Sequence, residues 1–274
     1  ALGVVKGDRV ALVSENRPEW LVADIGIMAA GAVAVPAYVT NQVSDHLHIL
    51  RDSGAKGAIV SGPALAKNLL PAAREAGLEF IISMAPLDGE TDGPVIHLWS
   101  DLLAAQDGAT PDVSAIARTD TACLIYTSGT GGTPKGVMLS HGAIISNCKG
   151  AHHLLLDFGL DDEVFLSFLP LSHSYEHTAG LMFPLSIKAE IYYAESVDKL
   201  AANMEEVKPT IMTAVPRLYE TMYGRIVRGV QQKGGLSEKL FMKAVATGRK
   251  KYEGTRLSLG ETLLDPLLTK LVRK

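Results

Sequence analysis

Cysteine is scarce: Cys123 and Cys148 are the only two in 274 residues. Two thiols cannot form a disulfide framework, and both sit in apolar stretches. They read as buried, reduced thiols of a cytoplasmic protein. No excess of positive charge is present either, with 26 Lys+Arg against 30 Asp+Glu, which gives no reason to propose a nucleic-acid partner. No unbroken hydrophobic run reaches membrane length. The longest apolar stretch, residues 21–38, is interrupted by Asp24, Gly26, Gly31 and Pro36, so it reads as helix, turn and strand. A secretory signal, internal repeats and low-complexity tracts are all lacking. Position 1 is not Met, and residues 267–274 stop in an apolar-basic pattern, so both ends read as cut from something longer.

What is present is regular alternation. Residues 8–14 suit a strand, Pro18 opens a helix that reaches about residue 30, and Gly31 ends it. A strand at 32–36, a helix at 46–53, a strand at 57–61, a helix at 63–76 and a strand at 79–83 follow. Such alternation implies βαβ units and a mostly parallel sheet. Residues 85–120 turn to Pro, Gly, Asp and Thr around one apolar patch at 95–99, and read as a long surface excursion. A buried strand is expected at 122–126, and Ser140 is a good N-cap for a helix to about residue 156. Residues 157–162 read as a boundary. Strands at 163–169, 188–193 and 210–214, a helix at 196–206 and a long helical region from Arg217 complete the pattern. The expected fold class is α/β, with two adjoining three-layer units of mostly parallel sheet, 1–158 and 159–274, the second incomplete.

The chain is organised around residues 126–141, Tyr-Thr-Ser-Gly-Thr-Gly-Gly-Thr-Pro-Lys-Gly-Val-Met-Leu-Ser-His. An apolar strand breaks into seven residues, 127–133, that are all Gly, Ser or Thr. Small side chains let backbone N–H groups approach an anion closely. Thr127, Ser128, Thr130 and Thr133 add hydroxyls, Gly129, Gly131 and Gly132 add conformational freedom, and Lys135 adds a point charge. A strand ending in such a loop is a place to hold phosphate oxygens. It is not a Walker A loop, because Lys135 lies between Pro134 and Gly136 and does not lead into a helix. It is not a dinucleotide fingerprint, and the return to apolar sequence argues against a plain linker.

A second cluster, Leu169-Pro-Leu-Ser-His-Ser-Tyr-Glu-His177, follows its strand directly. His173, Glu176 and His177 have the His-x-x-Glu-His spacing of inverted zinc peptidases. That spacing requires both histidines on one helical face and a third acidic ligand, and a zinc peptidase has no use for a phosphate loop.

Residues 126–136 resemble the phosphate-binding signature of the adenylate-forming superfamily, which includes acyl-CoA synthetases, luciferases and peptide-synthetase adenylation domains. Gly131 departs from the commoner Thr and removes one hydroxyl. Residues 170–177 resemble the long-chain acyl-CoA synthetase form of the motif that follows the loop. Residues 210–219 resemble the segment whose strand end and Val-Pro turn line the acyl pocket.

The resemblance implies ATP-dependent activation of a long-chain fatty acid, first to acyl-AMP and then, with coenzyme A, to the thioester. It makes Lys135 and His173 catalytic residues. It gives ATP to Thr127, Ser128, Gly129, Thr130, Gly131, Gly132, Thr133 and Lys135. It gives the acyl substrate to His173, Glu176, Val215, Pro216 and Arg217, and Mg2+ to Thr127. The later adenine- and ribose-binding elements and the C-terminal domain of that superfamily are not in this sequence, so residues 1–274 alone are expected to bind nucleotide weakly and turn over little. Peripheral membrane association and a homodimer stay open. So do an enzyme for another carboxylic acid, a nucleotide-binding module without catalysis, and the zinc hydrolase.

Overall fold

The computed structural model describes residues 2–87, 93–105, 108, 110–127 and 132–272. Two compact units are formed, Ala1–Thr213 and Ala214–Lys274.

The first unit is built on β1 (Arg9–Val13), whose side chains alternate between two apolar faces. Val10 and Leu12 enter one buried cluster, and Ala11 and Val13 enter the other. A strand apolar on both faces must be covered on both, which is the condition for a central strand of a parallel sheet. Beside it run β2 (Val33–Ala37), β3 (Ala55–Val60), β4 (Phe80–Ser83), β5 (Val95–Leu98) and β6 (Thr121–Thr127). Across the sheet the order is β5-β4-β3-β1-β2-β6-β7, all parallel except β7 (Lys135–Ser140), which runs antiparallel to β6 at the edge. Helices α1 (Pro18–Ala29) and α5 (His141–Leu155) contribute Trp20, Ile27 and Ile144 to the first cluster. Helices α2 (Val43–Ser53) and α3 (Pro63–Ala76) contribute Leu50 and Leu69 to the second. Three layers result, and α4 (Trp99–Ala104) follows β5.

Several expectations are refined. Helix α2 begins at Val43 because the Gln42 N–H donates to Asp45 Oδ2 at 2.9 Å, an N-terminal cap that residues 46–53 do not include. The patch at 95–99 is β5 leading into α4, and residues 135–140 are a strand where only a return to apolar sequence was read.

Beyond α5, β8 (Val164–Ser167) and β9 (Glu190–Tyr193) form a parallel pair, and residues 210–214 add a single bridge, Ile211 to Phe165. Between β8 and β9 lie α6 (Ser174–Glu176), a π-helical turn (His177–Met182) and α7 (Phe183–Ser186); α8 (Leu200–Val207) comes after β9. The division expected at 158–159 is an internal turn of the first unit. Phe165, Leu171, Leu181 and Phe183 share one buried cluster with Val10, Trp20 and Ile144, so the core continues across the turn.

The second unit is helical, not α/β. It consists of α9 (Pro216–Lys233), α10 (Gly235–Tyr252) and α11 (Leu259–Val272), with Lys250 paired to Glu261 and Lys251 to Asp265. Among the described residues, no helix is long and apolar enough to cross a membrane.

Candidate functional site

Ligands of parallel α/β sheets bind beyond the carboxyl ends of the strands. Here β6 ends there with Tyr126 and Thr127, and β7 returns from there with Lys135 and Gly136. The antiparallel register pairs Thr127 with Lys135 and Tyr126 with Gly136. Thr127, Thr133 and Pro134 line a cleft of about 610 Å3, and Tyr38, His48 and His173 line other parts of it. Lys135 is exposed. Gly132 has φ +95°, a backbone conformation that a side chain would strain. Ser128, Gly129, Thr130 and Gly131 lie outside the described residues.

Both ends of the loop touch α2. The buried Tyr126 hydroxyl donates to Asp52 Oδ2 at 2.6 Å. Burial above all, and then the Asp52 carboxylate, push the Tyr126 pKa up and keep it a donor. His48 Nε2 lies 2.8 Å from the Pro134 carbonyl oxygen, and a carbonyl only accepts, so Nε2 carries the proton. The His48 ring stands edge-on to Tyr126, with centroids 6.0 Å apart. A Cβ at position 136 would lie 3.1 Å from Tyr126 Cζ, so glycine lets the returning strand close over the ring.

The second cluster separates its three candidate ligands. His173 is exposed at the N-cap of α6, where its Nδ1 accepts from the Tyr175 N–H at 3.2 Å. Glu176 is wholly buried and accepts from the Ser167 hydroxyl at 2.7 Å and from the Thr213 hydroxyl. Burial raises its pKa against the pull of those donors. His177, equally buried, places Nε2 3.0 Å from Asp24 Oδ2 on α1 and packs edge-on against Trp20. Adjacent residues of a helix point about 100° apart, so Glu176 and His177 leave the backbone towards different neighbours. No group of three His, Cys, Asp or Glu suited to a metal occurs among the described residues. The His-x-x-Glu-His spacing is therefore not a zinc site here. Glu176 also lies away from the cleft lining.

Asn16, after β1, ties this cluster to the sheet: its amide donates to the Leu169 carbonyl at 2.7 Å, and its carbonyl accepts from the Leu171 N–H at 3.0 Å. Val215, Pro216 and Arg217 belong to the second unit, where Pro216 opens α9 and Arg217 pairs with Glu220 at 3.2 Å. Sequence reasoning missed Asn16, Asp24, His48 and Asp52. Two signals were available: a carboxylate inside the apolar run at 21–38, and a His-x-x-x-Asp pair one helical turn apart facing the loop's strand.

Magnesium fits this site only as a companion of phosphate. The described walls offer it the Thr127 and Thr133 hydroxyls and a single carboxylate, Asp45, which already caps α2, and Mg2+ commonly keeps waters and substrate oxygens as its other ligands.

A mostly parallel sheet covered by helices on both faces, with a cleft lined by Thr127, Thr133 and Pro134 at its carboxyl edge, defines an α/β domain with a candidate ligand site. Residues 1–273 match the family model described as AMP-binding enzyme, and the chain belongs to that family. It is 34% identical over 246 residues to long chain acyl-CoA synthetase 7, peroxisomal, of Arabidopsis thaliana, covering 87% of this chain and 35% of the relative. It is 32% identical to the long-chain-fatty-acid–CoA ligase FadD15 of Mycobacterium tuberculosis, covering 81% of this chain and 37% of that one. Among solved structures, a long-chain-fatty-acid-CoA ligase (FadD1) from Archaeoglobus fulgidus is similar with TM-score 0.69 and 25% identity, over 84% of this chain and 43% of that one. A benzoate CoA ligase from Burkholderia xenovorans LB400 is similar with TM-score 0.63 and 30% identity, over 80% and 42%. The chain thus spans little more than a third of these two curated relatives.

Proposed function

We propose that this chain supplies the phosphate-holding part, and one wall of the acid site, of an enzyme that activates a long-chain fatty acid with ATP and passes it to coenzyme A. One observation carries the proposal: the β6–β7 register sets Thr127 and Lys135 opposite each other where the sheet meets the cleft. In the first step the fatty-acid carboxylate attacks the α-phosphorus and pyrophosphate leaves. In the second the coenzyme A thiol attacks the acyl carbonyl and AMP leaves. Lys135 and the hydroxyls of Thr127 and Thr133 neutralise and orient the departing phosphates. Ser128, Gly129, Thr130, Gly131 and Gly132 supply backbone N–H groups in the same role. Magnesium, bound with ATP through Thr127, adds charge neutralisation.

Because Nδ1 of His173 accepts from the Tyr175 N–H, its ring proton is on Nε2, and the residue lines the cleft. It is the donor offered to the carboxylate oxygen. Glu176 acts by fixing the segment that carries His173. Val215, Pro216 and Arg217 contact the acyl chain by the family resemblance alone. The cytoplasmic location, a homodimer and peripheral membrane attachment belong to the same proposal, and fractionation, sedimentation and vesicle flotation read them.

The test is ATP–pyrophosphate exchange by the natural protein carrying these residues, with palmitate, acetate, benzoate or no acid. Palmitate stimulates exchange. Lys135→Ala lowers it about tenfold to a hundredfold, the usual loss for a hydrogen bond to a charged group. Stimulation by benzoate alone moves the assignment to an aryl acid, the chemistry named for one structural neighbour. Exchange without acid dependence overturns the proposal.

A further inference from the structure

The phosphate loop leaves the sheet at its weakest place. β7 is an edge strand with β6 as its one partner, and Val137 and Met138 on it are largely exposed. The ladder alone would leave the returning end of the loop held from one side. Helix α2 supplies a second hold. His48 and Asp52 stand four residues apart, hence on one face of that helix. Asp52 takes the hydroxyl of Tyr126, the residue before Thr127, and His48 gives its Nε2 proton to the carbonyl of Pro134, the residue before Lys135. One turn of helix therefore grips the chain immediately before the loop and immediately before its lysine. The edge-on packing of the His48 ring on Tyr126 brings the two contacts together.

We infer that His48 and Asp52 are positioning residues for nucleotide: they anchor both ends of the phosphate loop to α2, and so hold in place at the cleft the strand pair that sets Thr127 opposite Lys135. The inference rests on the nucleotide-binding role proposed above. Neither residue needs to touch ATP. A bracket of this kind acts on phosphate binding and leaves the acid side of the cleft alone. A merely structural contact lowers stability without preference between substrates.

The experiment uses the natural protein and measures equilibrium binding of magnesium–ATP, the KM values for ATP and palmitate in exchange, and the melting temperature. His48→Leu and Tyr126→Phe each remove one grip. His48→Gln keeps an N–H donor of similar reach. Loss of the hydrogen bond to Pro134 weakens ATP binding about tenfold in His48→Leu, with most of the affinity recovered in His48→Gln. Tyr126→Phe moves the ATP KM in the same direction, and the palmitate KM stays within about twofold in all three. Equal ATP affinity in wild type and His48→Leu overturns the inference while leaving the proposed function standing. So does a parallel rise in both KM values with a lowered melting temperature. Absence of ATP binding by the wild type overturns both.

Discussion

Alanine at position 180 lowers the stability of the protein by about 3–5 kcal/mol, combining an overpacked core with displaced buried hydrogen bonds. The added Cβ would overlap Glu176 Oε1 and Cδ, an approach that no packing tolerates. Glu176 cannot swing aside freely, because Ser167 and Thr213 hold its carboxyl and no part of it reaches solvent. Gly150→Ala in α5 is the control, since nothing lies within 4 Å of the Cβ it would add. Its expected effect is a gain of roughly 0.5–1 kcal/mol from helix propensity. Urea unfolding of wild type, both variants, Glu176→Ala and the Glu176→Ala/Gly180→Ala pair separates the causes. With the carboxyl gone, the second alanine costs under about 1 kcal/mol, and the strong non-additivity identifies the clash. Simple additivity would show that the cost lies elsewhere.

Acidification from pH 6.5 to 4 removes roughly 3 kcal/mol of stability through His46 alone. This side chain is 2% exposed, and its pKa is held down to about 4, chiefly by burial and against a smaller opposite pull from Asp45. In the unfolded chain it takes up a proton near pH 6.5. Between those values the unfolded state binds more protons, so stability rises with pH across the window and falls as pH is lowered through it. Glu176 acts in the opposite sense: its raised pKa makes the folded state the better proton binder above its ordinary range, so its contribution falls as pH rises. The comparison is therefore between wild type and His46→Gln, using urea midpoints at pH 4.5, 5.5 and 7. The variant flattens the dependence by close to one proton. An unchanged slope would show that His46 is not held neutral in the folded state.

The parallel sheet was legible because β1, β3 and β4 are short apolar runs punctuated by Gly and Pro. β5 was not, since Val95-Ile-His-Leu is short and follows a tract rich in Gly, Asp and Pro. β7 was hidden by Pro134 and Gly136 on one side and by edge exposure of Val137 and Met138 on the other. It is a strand because of the partner it finds. The loop stood out by composition alone, and of its residues Thr127 and Thr133 line the cleft. The spacing of His173, Glu176 and His177 misled in part, because linear spacing does not say which neighbour each side chain meets. Ser167, Thr213 and Asp24 decide that, and they come from other elements.

The reversal of β7 has an electrostatic consequence. Its six residues carry the chain roughly 17 Å back along the sheet before α5 begins. The first N–H groups of that helix bond to the carbonyls of Asp120 and Arg118, at the opposite end of β6 from the cleft. The positive pole of the helix macrodipole thus lies at the far end of the strand from the cleft, at about twice the screening length of physiological salt. Phosphate loops that run straight into a helix have that field built into their backbone. In the function proposed above, charge for an anion at the loop would come from Lys135 and from the cation that travels with it. Each can be screened or replaced separately.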